Sequence, residues 1–292
     1  MPITHLLLAL AVVFVWGTNF VVIRLGLDAF APYTFAALRY TFSFLPFIFF
    51  IPRPAMTWGK LALFGVMIGV GQFGLLFTAI KFGMPAGLAS VVIQLQVFFT
   101  IGLAVLFLGE RPSGSQLVGA LVAFAGIGVI AVERMGGAAL WPFLMTIAAA
   151  VCWGVANLLT KKAGRIDMLG FVVWSSLAPP IPLYVLSLIF EGPGAVPLAL
   201  SQITLVGIGS LLFIGWVSTL FGYGAWSVLL GRYPASTVAP FALLVPVAGI
   251  GGATLILGER ITGLELAGSL LVLVGLLLNV FGPRLFARKM EA

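Results

Sequence analysis

Charge is what this sequence has least of. Asp, Glu, Lys and Arg together make up 8% of its residues, against about 25% in a soluble domain, so no water-facing shell can be assembled around its apolar side chains. A soluble enzyme or soluble binding module is excluded on that ground. Cys152 is the single cysteine, which leaves no disulfide framework and no cysteine metal site. The single histidine, His5, lies near the amino terminus and reads as a membrane-edge residue rather than a ligand. The eight acids are Asp28, Glu110, Glu133, Asp167, Glu191, Glu259, Glu265 and Glu291, and each falls at a loop or at the end of an apolar run. Proton-coupled carriers generally keep an ionisable group near the bilayer midplane, and here there is no candidate for one. The nucleophile with its base, or the paired acids, that an integral-membrane enzyme needs are also missing. No enzymatic role, cofactor or metal is expected.

What the chain does have is hydrophobicity, at 62% of 292 residues. About 20 apolar residues cross a bilayer as a helix. Dividing the chain at glycine, proline and charge gives ten such spans: 5–25, 32–51, 60–80, 86–108, 115–132, 139–160, 168–190, 203–230, 235–257 and 264–281. A membrane β-barrel would show short alternating segments instead. The first span has neither a basic leader nor a small-residue cleavage pattern, and so is expected to be a retained helix rather than a signal peptide.

The chain also repeats itself. Leu108-Gly109-Glu110-Arg111 returns as Leu257-Gly258-Glu259-Arg260, and a proline stands 25 residues before each glutamate, at Pro85 and Pro234. After each corner comes a helix-start signal of the S/T-x-x-E/Q type, Ser113-Gly114-Ser115-Gln116 and Thr262-Gly263-Leu264-Glu265. Trp16-Gly17-Thr18-Asn19 is matched by Trp153-Gly154-Val155-Ala156-Asn157, and Phe73-Gly74 by Phe221-Gly222, in the same order. The expected fold is an all-α integral membrane protein with ten transmembrane helices in two five-helix repeats, residues 1–136 and 137–292. Because five is odd, the second repeat must enter the membrane from the opposite side, and the repeats are inverted. Inverted repeats let many secondary transporters open one central site to either side in turn.

Basic residues set the orientation. With the amino terminus inside, Arg53, Lys60, Arg111, Lys161, Lys162, Arg165, Arg232, Arg284, Arg288 and Lys289 fall on the inner side, and only Arg24, Lys81, Arg134 and Arg260 on the outer. Both termini are therefore expected in the cytoplasm. The formal charge of +7 is scattered singly over loops, a pattern unlike a nucleic-acid footprint, and the expected partners are the bilayer and a small solute. No obligatory protein partner is evident.

Polar side chains inside the spans are the candidate site. An unpaired amide in hydrocarbon costs about 2 to 7 kcal/mol, so Asn19, Gln72, Gln94, Gln96 and Asn157 must face a neighbouring helix or a watery cavity, while Asn279 reads as packing. Trp16, Trp153, Tyr223 and Trp226 fall within spans, unlike Trp58 and Trp141, which suit the interfacial belt. Trp16, Asn19, Gln72, Gln94, Trp153, Asn157, Tyr223 and Trp226 are the expected substrate-binding residues, lining a chamber for an amphipathic solute with an apolar side chain. Arg39, the one basic residue well inside a span, is expected to reach headgroups or a carbonyl from the outer end of span 2; attraction of a substrate carboxylate is the alternative. Glu110 and Glu259 read as structural corners or a gating pair. Pro46, Pro179, Pro180, Pro182, Pro240 and Pro246 could act as hinges, and Gly65 and Gly69 allow a close helix crossing.

The paired Trp-Gly segments, the two Leu-Gly-Glu-Arg corners and the five-plus-five layout resemble the drug/metabolite transporter superfamily, EamA type. End to end, the chain most resembles the YddG-like bacterial amino-acid exporters. The resemblance implies a basket of ten helices in the cell inner membrane, with a central cavity lined mainly by spans 1, 3, 4, 6, 8 and 9. It also implies export of amino acids or of similar amphipathic metabolites, with efflux of drugs on the same scaffold as the alternative. The chain departs from the family in span 4, where Val97 follows Gln94-Leu95-Gln96 at a position the family usually gives to proline, whereas span 9 keeps Pro246. A matching bend in the two spans is therefore not implied.

Inversion makes a direct prediction. Impermeant thiol reagents applied to cysteines placed beside Arg111 and Arg260 should label the Arg260 turn from outside in intact cells, and the Arg111 turn only after permeabilisation. Labelling of both from one side would remove the inverted repeat.

Overall fold

The computed structural model describes residues 1–136, 140–163, 167–233, 238 and 241–287. Among them every regular element is helical, as expected where no water is at hand to satisfy a strand edge. Among the described residues eight helical segments are long and apolar enough to cross a bilayer, alongside the shorter helices Pro32–Phe44 and Val245–Leu257. The elements are α1 (Ile3–Ala29), α2 (Pro32–Phe44), α3 (Trp58–Lys81), α4 (Ala86–Leu108), α5 (Gly114–Gly136), α6 (Leu140–Ala163) and α7 (Met168–Phe190). Then come α8, built from Leu205–Leu212, Phe213–Phe221 and Gly222–Arg232, followed by α9 (Val245–Leu257) and α10 (Gly263–Ala287). A short helix, Ala195–Ser201, lies between α7 and α8. Large apolar side chains such as Leu205 and Leu255 are 88% and 86% exposed, a surface that only lipid can solvate.

The corners and helix starts follow the repeated sequence closely. Gly109 and Gly258 end α4 and α9 in the left-handed region, with φ of 65° and 66°, where a side chain would strain the backbone. Both capping boxes close reciprocally. The Ser113 N–H donates to Gln116 Oε1 at 2.8 Å and the Gln116 N–H to Ser113 Oγ at 3.3 Å. The Thr262 N–H donates to Glu265 Oε2 at 3.1 Å and the Glu265 N–H to Thr262 Oγ1 at 3.2 Å.

One span boundary needs correction, and two interruptions are seen. Span 2, expected over 32–51, is regular only to Phe44 and continues as turns, because Pro46 lacks an N–H and restricts the residue before it. Span 7 is present over Met168–Phe190 and, at its prolines, is interrupted between Ser175 and Pro180. The bend of α4 needs no proline: Ile93–Leu95 is a 3-10 stretch, and residues 243–244 form a turn at the corresponding place just before α9, with Pro246 in its first turn. Pro234, Pro240, Arg165, Arg288, Lys289 and Glu291 lie outside the described residues.

Helices meet where glycine removes a side chain. α1 packs on α9, α4 on α6, α2 on α7 and α5 on α10, so each of these unions joins the first half of the chain to the second. A Cβ on Gly17 would fall 2.3 Å from the Ala248 Cβ, and one on Gly154 would fall 2.9 Å from the Phe99 Cβ. In the repeat these are the same contact, since Gly17 corresponds to Gly154 and Phe99 to Ala248. Gly119 similarly abuts the Gly275 carbonyl (2.6 Å) and Gly126 the Gly268 carbonyl (2.5 Å), and this crossed order makes α5 and α10 antiparallel. Gly65 and Gly69 do allow a close crossing, of α3 over the broken part of α7: a Cβ added at either would lie 2.2 Å from the Ser175 carbonyl and the Pro179 ring respectively.

At one face of the bundle, the outer one if the amino terminus is inside, carboxylates tie neighbouring helices together. Glu259 accepts the Ala86 and Gly87 N–H groups at 2.8 and 3.0 Å, capping α4 from the corner after α9. Glu191 accepts the Tyr33 and Thr34 N–H groups at 2.5 and 3.0 Å and the Thr34 hydroxyl at 2.7 Å, capping α2. Each carboxylate sits on the positive end of a helix dipole and fills otherwise orphan donors. Glu110, the counterpart of Glu259, instead pairs with Lys161 at 2.6 Å, and both side chains are about half exposed.

The seam of α5 and α10 supplies a test with an internal control. Gly126→Leu should lower folded yield and thermal stability by about 1 to 3 kcal/mol through overpacking. Gly128→Leu, whose added Cβ meets nothing within 4 Å, should behave as wild type by size-exclusion chromatography and thermal unfolding.

Candidate functional site

Two wide turns in the bundle prepare the site. Met67–Gly74 within α3 and Phe213–Phe221 within α8 are π-helical, the first ending on Phe73-Gly74 and the second on Phe221, with Gly222 opening the α-helix that follows. Such stretches are uncommon and often mark functional sites. The second approaches α2 closely because Gly215 has no side chain: a Cβ there would lie 3.2 Å from Ser43 Oγ. The Ser43 hydroxyl donates to the carbonyls of Arg39 and Gly215 at 2.9 and 3.2 Å, and the Trp216 indole donates to the Phe42 carbonyl at 3.0 Å. α2 and α8 are thereby fixed around Arg39.

Arg39 is 3% exposed, so the expectation that it reaches headgroups is overturned. Its residue falls well inside α2, and the rings of α3 and α2 cover it. The guanidinium carbon lies 3.6 Å from the Phe73 ring centroid and 4.7 Å from that of Tyr40, in cation–π contact. Nη2 donates to Thr219 Oγ1 at 3.1 Å, and the Thr219 hydroxyl donates to the Ile214 carbonyl at 2.8 Å. Among the described residues, Arg39 Nε and Nη1 and the Tyr40 hydroxyl make no hydrogen bond of good geometry, the Tyr40 hydroxyl interacting instead with the neighbouring guanidinium. No acid among them lines the cavity, and the ion pairs of Arg24 with Asp28 and of Lys161 with Glu110 are exposed.

The cavity at Arg39 is walled by Tyr40, Phe73, Ser175, Ser176, Thr219 and Tyr223, with Phe64, Gly65, Ile68 and Val172 completing it. Its free space is about 20 Å³, room for roughly one water. The break in α7 forms one wall: Ser175 and Ser176 turn their hydroxyls back to the Val172 carbonyl at 3.1 and 2.7 Å, and Gly65 lets α3 lie against them.

Three of the expected residues gather here. Tyr223 lines the cavity, and its ring lies 5.6 Å from Trp16, which is 5.2 Å from Trp226. The Trp16 indole donates to the Ser218 carbonyl at 3.0 Å, and Gly222 is needed for that seat, since a Cβ there would fall 2.4 Å from the indole nitrogen. The other five lie apart from the cavity. Asn157 ties α6 to α4, its Nδ2 donating to Gln96 Oε1 at 2.5 Å and to Thr100 Oγ1 at 3.1 Å. Asn19 is buried, and its Oδ1 has no hydrogen-bond partner among the described residues. Gln72 is buried in the first π-helical stretch and Gln94 in the 3-10 stretch of α4, and Trp153 packs half-buried against the core. Arg39, Tyr40, Phe73 and Thr219 were absent from the expected set. The signals for them were the isolation of Arg39 within a span and the repetition of Phe73-Gly74.

A helical membrane bundle with a cavity between its halves defines a class of solute carrier, and comparison with known proteins gives the family. The chain belongs to the EamA-like transporter family, whose sequence pattern matches twice, over residues 3–132 and 140–281. It is 45% identical over 283 residues to the "Probable amino-acid metabolite efflux pump" of Escherichia coli K12, with 95% of each chain covered. The protein of the same description from Salmonella typhimurium is 44% identical over 283 residues, again with 95% of each covered. A solved crystal structure shares the fold, with a TM-score of 0.64 at 20% identity and 100% coverage of both chains.

The amide bridge predicts a stability effect. Asn157→Ala and Gln96→Ala should each lower the midpoint of thermal unfolding, and the double variant should lose less than their sum. The coupling expected is about 0.6 kcal/mol, typical for interhelical hydrogen bonds. Strict additivity would show that the two amides act independently.

Proposed function

We propose that this protein exports amino acids, aromatic and other apolar ones among them, together with similar amphipathic metabolites, across the bacterial inner membrane by alternating access. The reading takes ten transmembrane helices as two inverted repeats, residues 1–136 and 137–292, with both termini in the cytoplasm. The observation that carries it is the position of the cavity: Arg39, Tyr40 and Phe73 come from the first family-matched segment, and Ser175, Thr219 and Tyr223 from the second. A chamber shared by two copies of one module is where a change in their relative tilt alters access.

Further features support the reading. The antiparallel meeting of α5 with α10 through corresponding glycines is the contact that an inverted pair would make. The two Leu-Gly-Glu-Arg corners differ in state, Glu259 being docked on the start of α4 and Glu110 being half exposed with Lys161, as expected if one face is latched while its counterpart is not. The relatives described as amino-acid metabolite efflux pumps share nearly the whole length of the chain. Aromatic rings beside polar groups suit an amphipathic solute. With no acid among the described residues of the cavity wall, transport is downhill facilitation rather than proton-driven.

Purified protein in liposomes should move labelled L-phenylalanine and L-leucine down their gradients with saturation, show counterflow, and be indifferent to a protonophore. Flux that never saturates would replace the carrier with a channel. Movement confined to quaternary or polyaromatic cations would replace it with a drug efflux protein.

A further inference from the structure

The sharpest contradiction in the molecule is Arg39: a permanent cation, 3% exposed, within an apolar bundle and with no carboxylate among the described residues of its cavity. Charges in such surroundings are paired, solvated by a cavity, or functional. Here the partners are known atom by atom. Phe73 and Tyr40 cover the guanidinium with their rings, which stabilises its flat surface but accepts nothing from its edge. Thr219 takes Nη2. By strict geometry the N–H groups of Nε and Nη1 have no acceptor among the described residues, the Tyr40 hydroxyl of the same helix being close enough to interact with the guanidinium. All of these atoms belong to residues that line one cavity. A guanidinium stacked on aromatic rings, with one N–H of Nη2 taken by Thr219 and an N–H of Nη2 still free beside Nε or Nη1, is set up for a planar anion that accepts two N–H bonds at once, which is the geometry of a carboxylate.

We propose that Arg39 is the carboxylate subsite of the substrate cavity, with Tyr40 as a second donor and Thr219 as the residue that positions the guanidinium. The inference deepens the export reading and rests on it for the identity of the solute. Both carboxylate-binding edges of a guanidinium include Nη2, so the carboxylate of the solute takes the Nη2 N–H that Thr219 leaves free together with Nε or Nη1 beside it, and its apolar side chain lies toward Tyr223 and the adjoining rings of Trp16 and Trp226. The cavity has about 20 Å³ free, room for roughly one water, so admission of even the carboxylate requires the surrounding helices to part. A solute with a carboxylate is thus favoured over the same solute without one, whatever its amino group contributes.

The test is binding rather than transport, so that its result does not depend on the export reading. Thermal unfolding of the detergent-purified protein is followed in the presence of L-phenylalanine, 3-phenylpropionate and L-phenylalaninamide. The two carboxylates should raise the Tm and the amide should not. Arg39→Gln should abolish the difference. Should Arg39→Gln fail to fold, Arg39→Lys decides: it keeps the charge but loses the planar fork, and the carboxylate concentration needed for a given Tm rise should increase by about tenfold or more. Thr219→Val, which frees Nη2 as well, should weaken the response to carboxylates and leave the amide without effect. The subsite is overturned if neither carboxylate stabilises the wild type, if the amide works as well as they do, or if the Arg39 variants respond as the wild type does. A wild type that binds both carboxylates but moves no amino acid through liposomes would remove the export reading and leave the subsite standing.

Discussion

Close backbone approach at glycine is the interaction on which this structure depends. In a bilayer the surrounding lipid is as apolar as the side chains, so burying a leucine between helices gains little, and association relies on dispersion contact and on the few polar bonds available. Gly17 on Ala248, Gly154 on Phe99, Gly119 on Gly275 and Gly126 on Gly268 bring helices from opposite halves together with no glycine side chain to hold them apart. These contacts occur in corresponding pairs, so the same small set of residues in each repeat builds both sides of the bundle. The cavity is where this close packing is interrupted: the π-helical stretches of α3 and α8 and the proline break in α7 surround it.

Polar groups are distributed by the same solvent logic. Glu191 and Glu259, each meeting the start of a neighbouring helix, satisfy two backbone N–H groups apiece that hydrocarbon or headgroups would leave poorly bonded. Asn157, Gln96 and Thr100 satisfy one another. Among the described residues, Arg39 Nε and Nη1 depart from that pattern, as do Asn19 Oδ1, Ser269 Oγ and Asn279 Nδ2. The aromatic rings around Arg39 lower the cost of keeping it buried without occupying its donors.

Much of the architecture could be read along the chain because it depends on local chemistry. Long apolar runs specify spans, glycine at 109 and 258 specifies left-handed helix ends, and the Ser113 and Thr262 capping boxes close among residues three apart. What could not be read depends on partners distant in sequence. Glu259 caps Ala86 and Gly87 from 172 to 173 residues away, and no spacing rule announces it. Asn157 looks alike from the sequence whether it meets a solute or Gln96. The depth of Arg39 is hidden because the apolar run of span 2 continues to residue 51: ending the helix at Phe44, before Pro46, and laying α3 and α8 across it buries the guanidinium. The aromatic cluster of Trp16, Tyr223 and Trp226 was anticipated in its composition, whereas its neighbour Thr219 carried no mark beyond being a hydroxyl in an apolar run.

The π-helical stretch Phe213–Phe221 has a consequence for what lies beyond it. A helix that carries one extra residue in a turn can lose that excess without unwinding, and a one-residue change of register rotates the following segment by about 100° and shifts it about 1.5 Å along its axis. Tyr223 and Trp226 begin just past the stretch. Such a screw motion carries both rings off the face they share with Trp16, and each backbone N–H of the stretch exchanges its acceptor for the carbonyl one residue nearer, so the ends of the change are both fully bonded helices.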